Sequence, residues 1–334
     1  MKTWVAALAA GAMLVNGAAL IPAQTSHSRA STRAAARRSG TPASELVKNV
    51  FWQPNNLEQG SPIFFTAEFA RPARRVTATW IGKQLTFFRT KNPRVWYALA
   101  GVDLETQPGS YNLEISASLT NGRAARSVKK IDVAAGTFGT GEVNVPENYV
   151  QPNAQEQQQI AADQKLKDKA FGHITPQPEW SGNFVPPVSA KPTPSFGESR
   201  LLNEERTSTH RGTDYPVPEG TPVLAANSGT VVLATALYYE GNCVVIDHGQ
   251  RFFTIYMHLK QIDAHEGESV KKGERLGLSG ATGRVTGPHL HLGVRWNGAN
   301  VDPVKLLALT LPTVRETARS SRGGRTTHRR SHTR

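Results

Sequence analysis

Past its N-terminus, this chain keeps its apolar residues in short runs that glycine, proline or asparagine breaks before a helical period can establish itself. The runs at 61–69 (SPIFFTAEF), 74–82 (RRVTATWIG), 94–102 (RVWYALAGV), 241–249 (GNCVVIDHG) and 252–259 (FFTIYMHL) are β-branched and aromatic. The 334 residues include 29 glycines and 21 prolines to punctuate them. Such runs form half-buried strands, so the chain reads as all-β. At 109–119 the alternation is strict: Tyr111, Leu113 and Ile115 take one face, and Asn112, Glu114 and Ser116 the other. Asn121-Gly122 then marks a hairpin turn. Strands of this spacing over 45–135 predict an immunoglobulin-like β-sandwich. Residues 136–195 read as a connector, with one polar helix at about 153–171 and a proline-rich, extended sequel. A second all-β domain spans 196–310.

The termini differ from this pattern. Residues 1–23 read as a secretory signal peptide: Lys2 precedes an apolar run from Trp4 to about Ile21, and small residues follow. An uncleaved membrane anchor is the alternative, because the run approaches spanning length. Either way the protein is exported, to the periplasm, envelope or exterior. The segments 24–44 and 311–334 are rich in arginine, serine and threonine and carry much of the formal net charge of +13. Such segments bury too little apolar surface to order themselves. Their charge suits an anionic envelope surface; no specific nucleic-acid partner is expected. Cys243 is the only cysteine, so no internal disulfide forms, and it reads as a buried core residue.

Polar chemistry concentrates in the second domain. The stretch TGPHLH, 286–291, sets two imidazoles one residue apart. On a strand, His289 and His291 share one face and Leu290 and Leu292 the other. Two such imidazoles can bind a metal, share a proton-transfer task, or do one each. His210 and Asp214 stand four apart, and Gly212 with the proline-rich sequel favours a loop entering a strand over a helix. His258 lies in the separate run YMHL. The glycine-rich segment 277–287 lacks the Gly-Lys-Ser/Thr ending of a phosphate-binding loop.

Taken in order, SFGESR, HRGTDYPVPEGTPVLAANSGTV, GNCVVIDHG, YMHL, GESVKKGERLGLSGATGRVTGPHLHLGVRWNG and VDPVKLL resemble the lysostaphin-type, or LytM-like, zinc metallopeptidases, which are peptidoglycan endopeptidases. The resemblance runs from about Phe196 to Leu307. It implies one Zn2+ per chain, held by His210, Asp214 and His291, with His258 and His289 as catalytic residues beside it. A catalytic zinc with three protein ligands keeps a fourth position for water. The implied function is hydrolysis of peptide bonds, crosslinks or bridges, in peptidoglycan. The alternative is a non-catalytic LytM-like module that binds the wall or activates other wall hydrolases. Two histidines and a carboxylate can also hold non-haem iron.

Overall fold

The computed structural model describes residues 42–313. The expected signal peptide, most of the N-terminal basic segment and nearly all of the basic tail lie outside the described residues. Among the described residues, no helix is long and apolar enough to cross a membrane. The chain is mostly β, as its short apolar runs require.

Residues 47–134 form two sheets. One orders Val47–Gln53, Pro62–Phe69, Val95–Gly101 and Phe88–Arg89; the other orders Leu57–Glu58, Ala124–Ala134, Gly109–Leu119, Ala73–Trp80 and Lys83–Thr86. The alternation at 109–119 decides which face is buried. Leu113, Ile115, Ala117 and Leu119 are buried, and Asn112, Glu114, Ser116 and Ser118 face solvent. Phe65 from the first sheet meets Trp80 from the second edge to face, with ring centroids 5.6 Å apart. The expected hairpin is present: Gly122 adopts φ 81, a left-handed turn position that glycine takes without strain, and Ser118 pairs with Ala124. Two sheets packed in this way are consistent with the expected immunoglobulin-like sandwich.

The connector supplies its helix at Ala154–Gly172. Asn153 caps it, accepting from the Gln155 and Glu156 amides, while Glu156 reaches back to the Asn153 amide. The helix lies on the outer side of the second domain's sheet, where Phe171 packs edge-on to Phe253 at 5.4 Å. The connector also supplies a strand that its sequence did not announce. Thr140–Val143 pairs in parallel with Ser199–Leu202, which pairs antiparallel with Arg206–Thr209.

The nine-stranded C-terminal sheet is organised around Phe252–Ile262. Up to Met257 this strand pairs with Leu290–Trp296, setting Met257 opposite His291. From Leu259 it pairs instead with Arg275–Ser279. The residue at the fork is His258, whose φ of 64 is a left-handed conformation that a non-glycine residue rarely adopts.

One apolar core runs through the sandwich and this sheet. Trp180, from the proline-rich connector, packs edge-on against Phe64 (6.3 Å) and Phe88 (5.5 Å) of the sandwich and tilts over Phe184 (6.4 Å). Hydrogen bonds cross the same boundary: Asn300 N to Asp103 Oδ2 (2.8 Å), Leu104 N to Asn300 O (3.2 Å) and Asp302 N to Gly60 O (2.8 Å).

Candidate metal centre

The short strand Gly212–Tyr215 pairs with Leu290–Trp296 in a register that sets Asp214 directly opposite His291. Cross-strand partners have neighbouring side chains, so the pairing itself brings a carboxylate and an imidazole together. His210 lies in the turn just before the strand, between Arg206–Thr209 and Gly212–Tyr215. Its backbone is tied down on both sides, by His210 N to Glu198 O (2.9 Å) and Gly197 N to His210 O (2.8 Å). The loop entering a strand, expected from Gly212 and the prolines, is the observed arrangement.

Three atoms converge. His210 Nε2 lies 2.9 Å from His291 Nδ1 and 3.1 Å from Asp214 Oδ1, and His291 Nδ1 lies 3.0 Å from the same oxygen. These three residues form a group whose ligand atoms all lie within 4.8 Å of one another. The other ring nitrogen of His210 sits 2.8 Å from the Ser195 carbonyl, which accepts the Nδ1 proton and leaves an electron pair on Nε2. Electron-pair donors facing one another across 3 Å fit a cation, and two imidazoles with a carboxylate are a donor set that zinc accepts.

The Asp214 oxygens are divided. Oδ1 faces the histidines, and Oδ2 accepts a hydrogen bond from Arg200 Nη2 (3.0 Å), whose Nε donates to Glu198 Oε2 (2.6 Å). Burial alone would raise the Asp214 carboxyl; once His210 and His291 are protonated, their hydrogen bonds and positive charge outweigh it and hold the group well below the usual carboxylate range. Burial is also the main reason the His291 pKa falls to about 4.

His258 and His289 complete the cluster. Their rings lie 4.9 Å apart, and His258 lies 5.9 Å from His291. His289 Nε2 is 3.6 Å from Asp214 Oδ1. Each directs Nδ1 to a backbone carbonyl: His258 to Thr282 O and His289 to Gly287 O, both at 2.9 Å. His210, His258 and His289 therefore share one tautomer, with Nδ1–H committed and Nε2 free for the centre. His258 is buried, and that burial, with His291 and His289 nearby, pushes its pKa down to about 3. Leu290 and Leu292 are buried on the opposite side, as alternation requires.

All five histidine and aspartate positions singled out by sequence line one groove of about 540 Å³. Sequence reasoning passed over three of its neighbours: Arg200, Arg284 and Tyr239. Arg200 stands in the motif SFGESR, and its charge next to a glutamate two residues away was the available signal. Cys243 is buried, with burial raising its thiol pKa, and takes no part in the groove. Of the remaining histidines, His248 is buried away from the centre, while His173 and His265 lie at the surface.

Residues 208–303 match peptidase family M23. Over 101 residues the chain is 46% identical to peptidoglycan DD-endopeptidase ShyA of Vibrio cholerae, a match covering 30% of this chain and 24% of that protein. Over 131 residues it is 40% identical to the DD-carboxypeptidase/endopeptidase Mpg of Neisseria meningitidis, covering 39% and 30%. The match thus spans about a quarter to a third of the length of these curated relatives. A peptidase M23 crystal structure from Pseudomonas aeruginosa aligns with a TM-score of 0.58 and 26% identity, covering 76% of this chain and 96% of that one. The C-terminal sheet alone is too short for such coverage, so the likeness extends into the sandwich. The chain carries a peptidase domain of family M23.

Proposed function

We propose that the protein is an exported zinc metalloendopeptidase that hydrolyses peptide bonds in peptidoglycan. The observation that carries this reading is the convergence of His210 Nε2, Asp214 Oδ1 and His291 Nδ1 within 2.9–3.1 Å, with the rings of His258 and His289 beside them. The substrate class follows the name of the Vibrio cholerae relative, a peptidoglycan DD-endopeptidase.

His210, Asp214 and His291 hold the zinc, which supplies Lewis acidity to the scissile carbonyl and to the attacking water. Arg200 keeps the second oxygen of Asp214 turned away, so that Oδ1 serves the centre. His289 accepts the proton of the attacking water at Nε2 as the oxygen adds to the carbonyl carbon. Its ring is part-exposed in the groove, where an imidazolium keeps some solvation. The same nitrogen then gives that proton to the leaving amine as the C–N bond breaks, and the products are a carboxylate and an amine. His258 is too deeply buried to carry the charge. It stays neutral, and its Nε2 accepts a hydrogen bond that orients the water.

The test joins metal analysis to product analysis. Purified protein should hold about one zinc per chain and release soluble muropeptides from sacculi. His289→Ala should keep the zinc and lose at least about a hundredfold in rate, whereas His210→Ala should lose both. Zinc retained without release by the native protein would support the wall-binding module instead, and iron in place of zinc would overturn the metal assignment.

A further inference from the structure

Arg284 lines the groove, and the catalytic account leaves it unused. Its guanidinium carbon lies 4.8 Å over the Tyr239 ring. Its side chain makes one hydrogen bond, a long one of 3.5 Å from Nη2 to Ser208 Oγ. Three other cations near the groove have carboxylates: Arg200 pairs with Glu198 and Asp214, Arg211 with Glu105, and Lys167 with Glu240. Among the described residues no carboxylate pairs with Arg284. A part-buried guanidinium thus keeps most of its five N–H donors without a protein acceptor and turned to the groove, where water or a ligand completes them. Burial lowers its pKa, and Arg206 and Arg200 press the same way against Tyr239 and Glu240. An anion at this point relieves both the burial and the repulsion.

The backbone fixes where that anion would sit. Thr282 O accepts from His258 Nδ1 (2.9 Å), and Thr282 Oγ1 donates to Leu259 O (2.8 Å) and accepts from Asn242 N (2.9 Å). Gly283 crosses directly against Tyr239 and Gly241, where any Cβ would collide with backbone. Arg284 N then donates to Tyr239 O (2.9 Å). Three consecutive residues therefore orient His258 and root Arg284, and both are registered to the same rigid crossing.

We propose that Arg284 receives a free carboxylate of the peptide substrate, and so sets the position of the scissile bond against His258 and His289. The inference rests on the peptidase reading above and adds a charge requirement to it. A guanidinium stacked on an aromatic ring presents its N–H edge in a fixed plane, which suits bidentate recognition of a carboxylate and not of a carboxamide.

The experiment uses the zinc-loaded full chain and a set of synthetic crosslinked stem peptides in which each carboxylate is converted in turn to its carboxamide. One conversion should lower kcat/KM about 10- to 100-fold, mainly through KM, while the others change it little. Arg284→Gln should slow the parent peptide to near the rate of that one carboxamide and leave the carboxamide's own rate unchanged. Arg284→Lys should restore part of the discrimination, and both variants should keep their zinc. Equal cleavage of the parent and all carboxamides by the native protein would overturn the inference and leave the peptidase reading standing. An equal loss on parent and carboxamide in Arg284→Gln would also overturn it, since a merely structural residue behaves that way. Should that variant not fold, the native protein's own discrimination among the peptides still decides. No cleavage of any peptide by zinc-loaded native protein would overturn both readings.

Discussion

At the scale of single residues, the centre depends on backbone atoms as much as on side chains. Three histidines are sorted into one tautomer by the carbonyls of Ser195, Thr282 and Gly287. Gly212 sets a further limit, because a Cβ there would collide with the His291 ring and the Leu292 carbonyl. Gly212→Ala should displace His291, lower zinc affinity at least about tenfold and cost about 1–3 kcal/mol of stability; zinc competition with a chromogenic chelator and urea unfolding would measure the two. A different histidine contributes to the response to acid. His248 is buried, with Nδ1 2.8 Å from Ser228 O and Nε2 2.7 Å from Thr254 Oγ1, which in turn lies 3.0 Å from Tyr256 OH. That phenol accepts from the Ala226 amide (2.8 Å) and from Thr254 Oγ1, and the network closes His248 off from solvent. Burial pushes its pKa down to about 4, below the ordinary value of about 6.5. Between these values the unfolded chain takes up a proton that the folded one refuses. Stability is therefore level above about pH 6.5 and falls as the pH drops toward 4. From pH 7.5 to pH 5 the zinc-saturated protein should lose about 2 kcal/mol through this group. Urea unfolding of His248→Gln at the two pH values should show a loss smaller by that amount, and an identical loss would remove His248 as the cause.

At the scale of elements, the Ala154–Gly172 helix braces the groove from behind. Asp163 is buried and accepts from the Tyr238 amide (2.6 Å) and from Gln159 Nε2 (2.6 Å), and Lys167 pairs with Glu240 (2.6 Å). Glu240 O in turn accepts from the His258 amide (2.9 Å). Asp163→Ala strands a buried amide, and should cost about 1–3 kcal/mol and speed hydrogen exchange at Tyr238. Exchange unchanged at that amide would show that the helix does not brace the loop. Much of this architecture was legible beforehand. Strict alternation at 109–119 gave the buried face, and the polar helix fell within a residue of its place because its capping residues lie next to it in sequence. The spacings at 210–214 and 289–291 gave the cluster, because strand pairing turns them into neighbours. Three things were not legible. Thr140–Val143 is too short to show a period, and its partner lies about 60 residues on. FFTIYMHL reads as one apolar run, yet the chain changes partner at His258, and only a backbone dihedral records that. Arg284 escaped for a related reason: what marks it is a missing partner, and sequence does not display missing partners.

At the scale of the whole molecule, the sandwich and the C-terminal sheet share one core. Trp180, Trp296, Val301 and Phe64 belong to it together. A fragment beginning at residue 180 would keep Trp180 but lose Phe64 and Phe88, which hold its ring. It would also expose the side of Val301 that lies against Gly101. Such a fragment should unfold at a temperature lower by 10 °C or more than the full chain, on the order of the shift that losing a few kcal/mol brings, and should bind a hydrophobic dye. A fragment as stable as the full chain would show that the shared core contributes nothing. The same continuity determines how the groove meets its target. No slack tether separates the sandwich from the groove, so the two turn as one piece. Whatever grips the sandwich aims the groove, and its reach is the length of a rigid body.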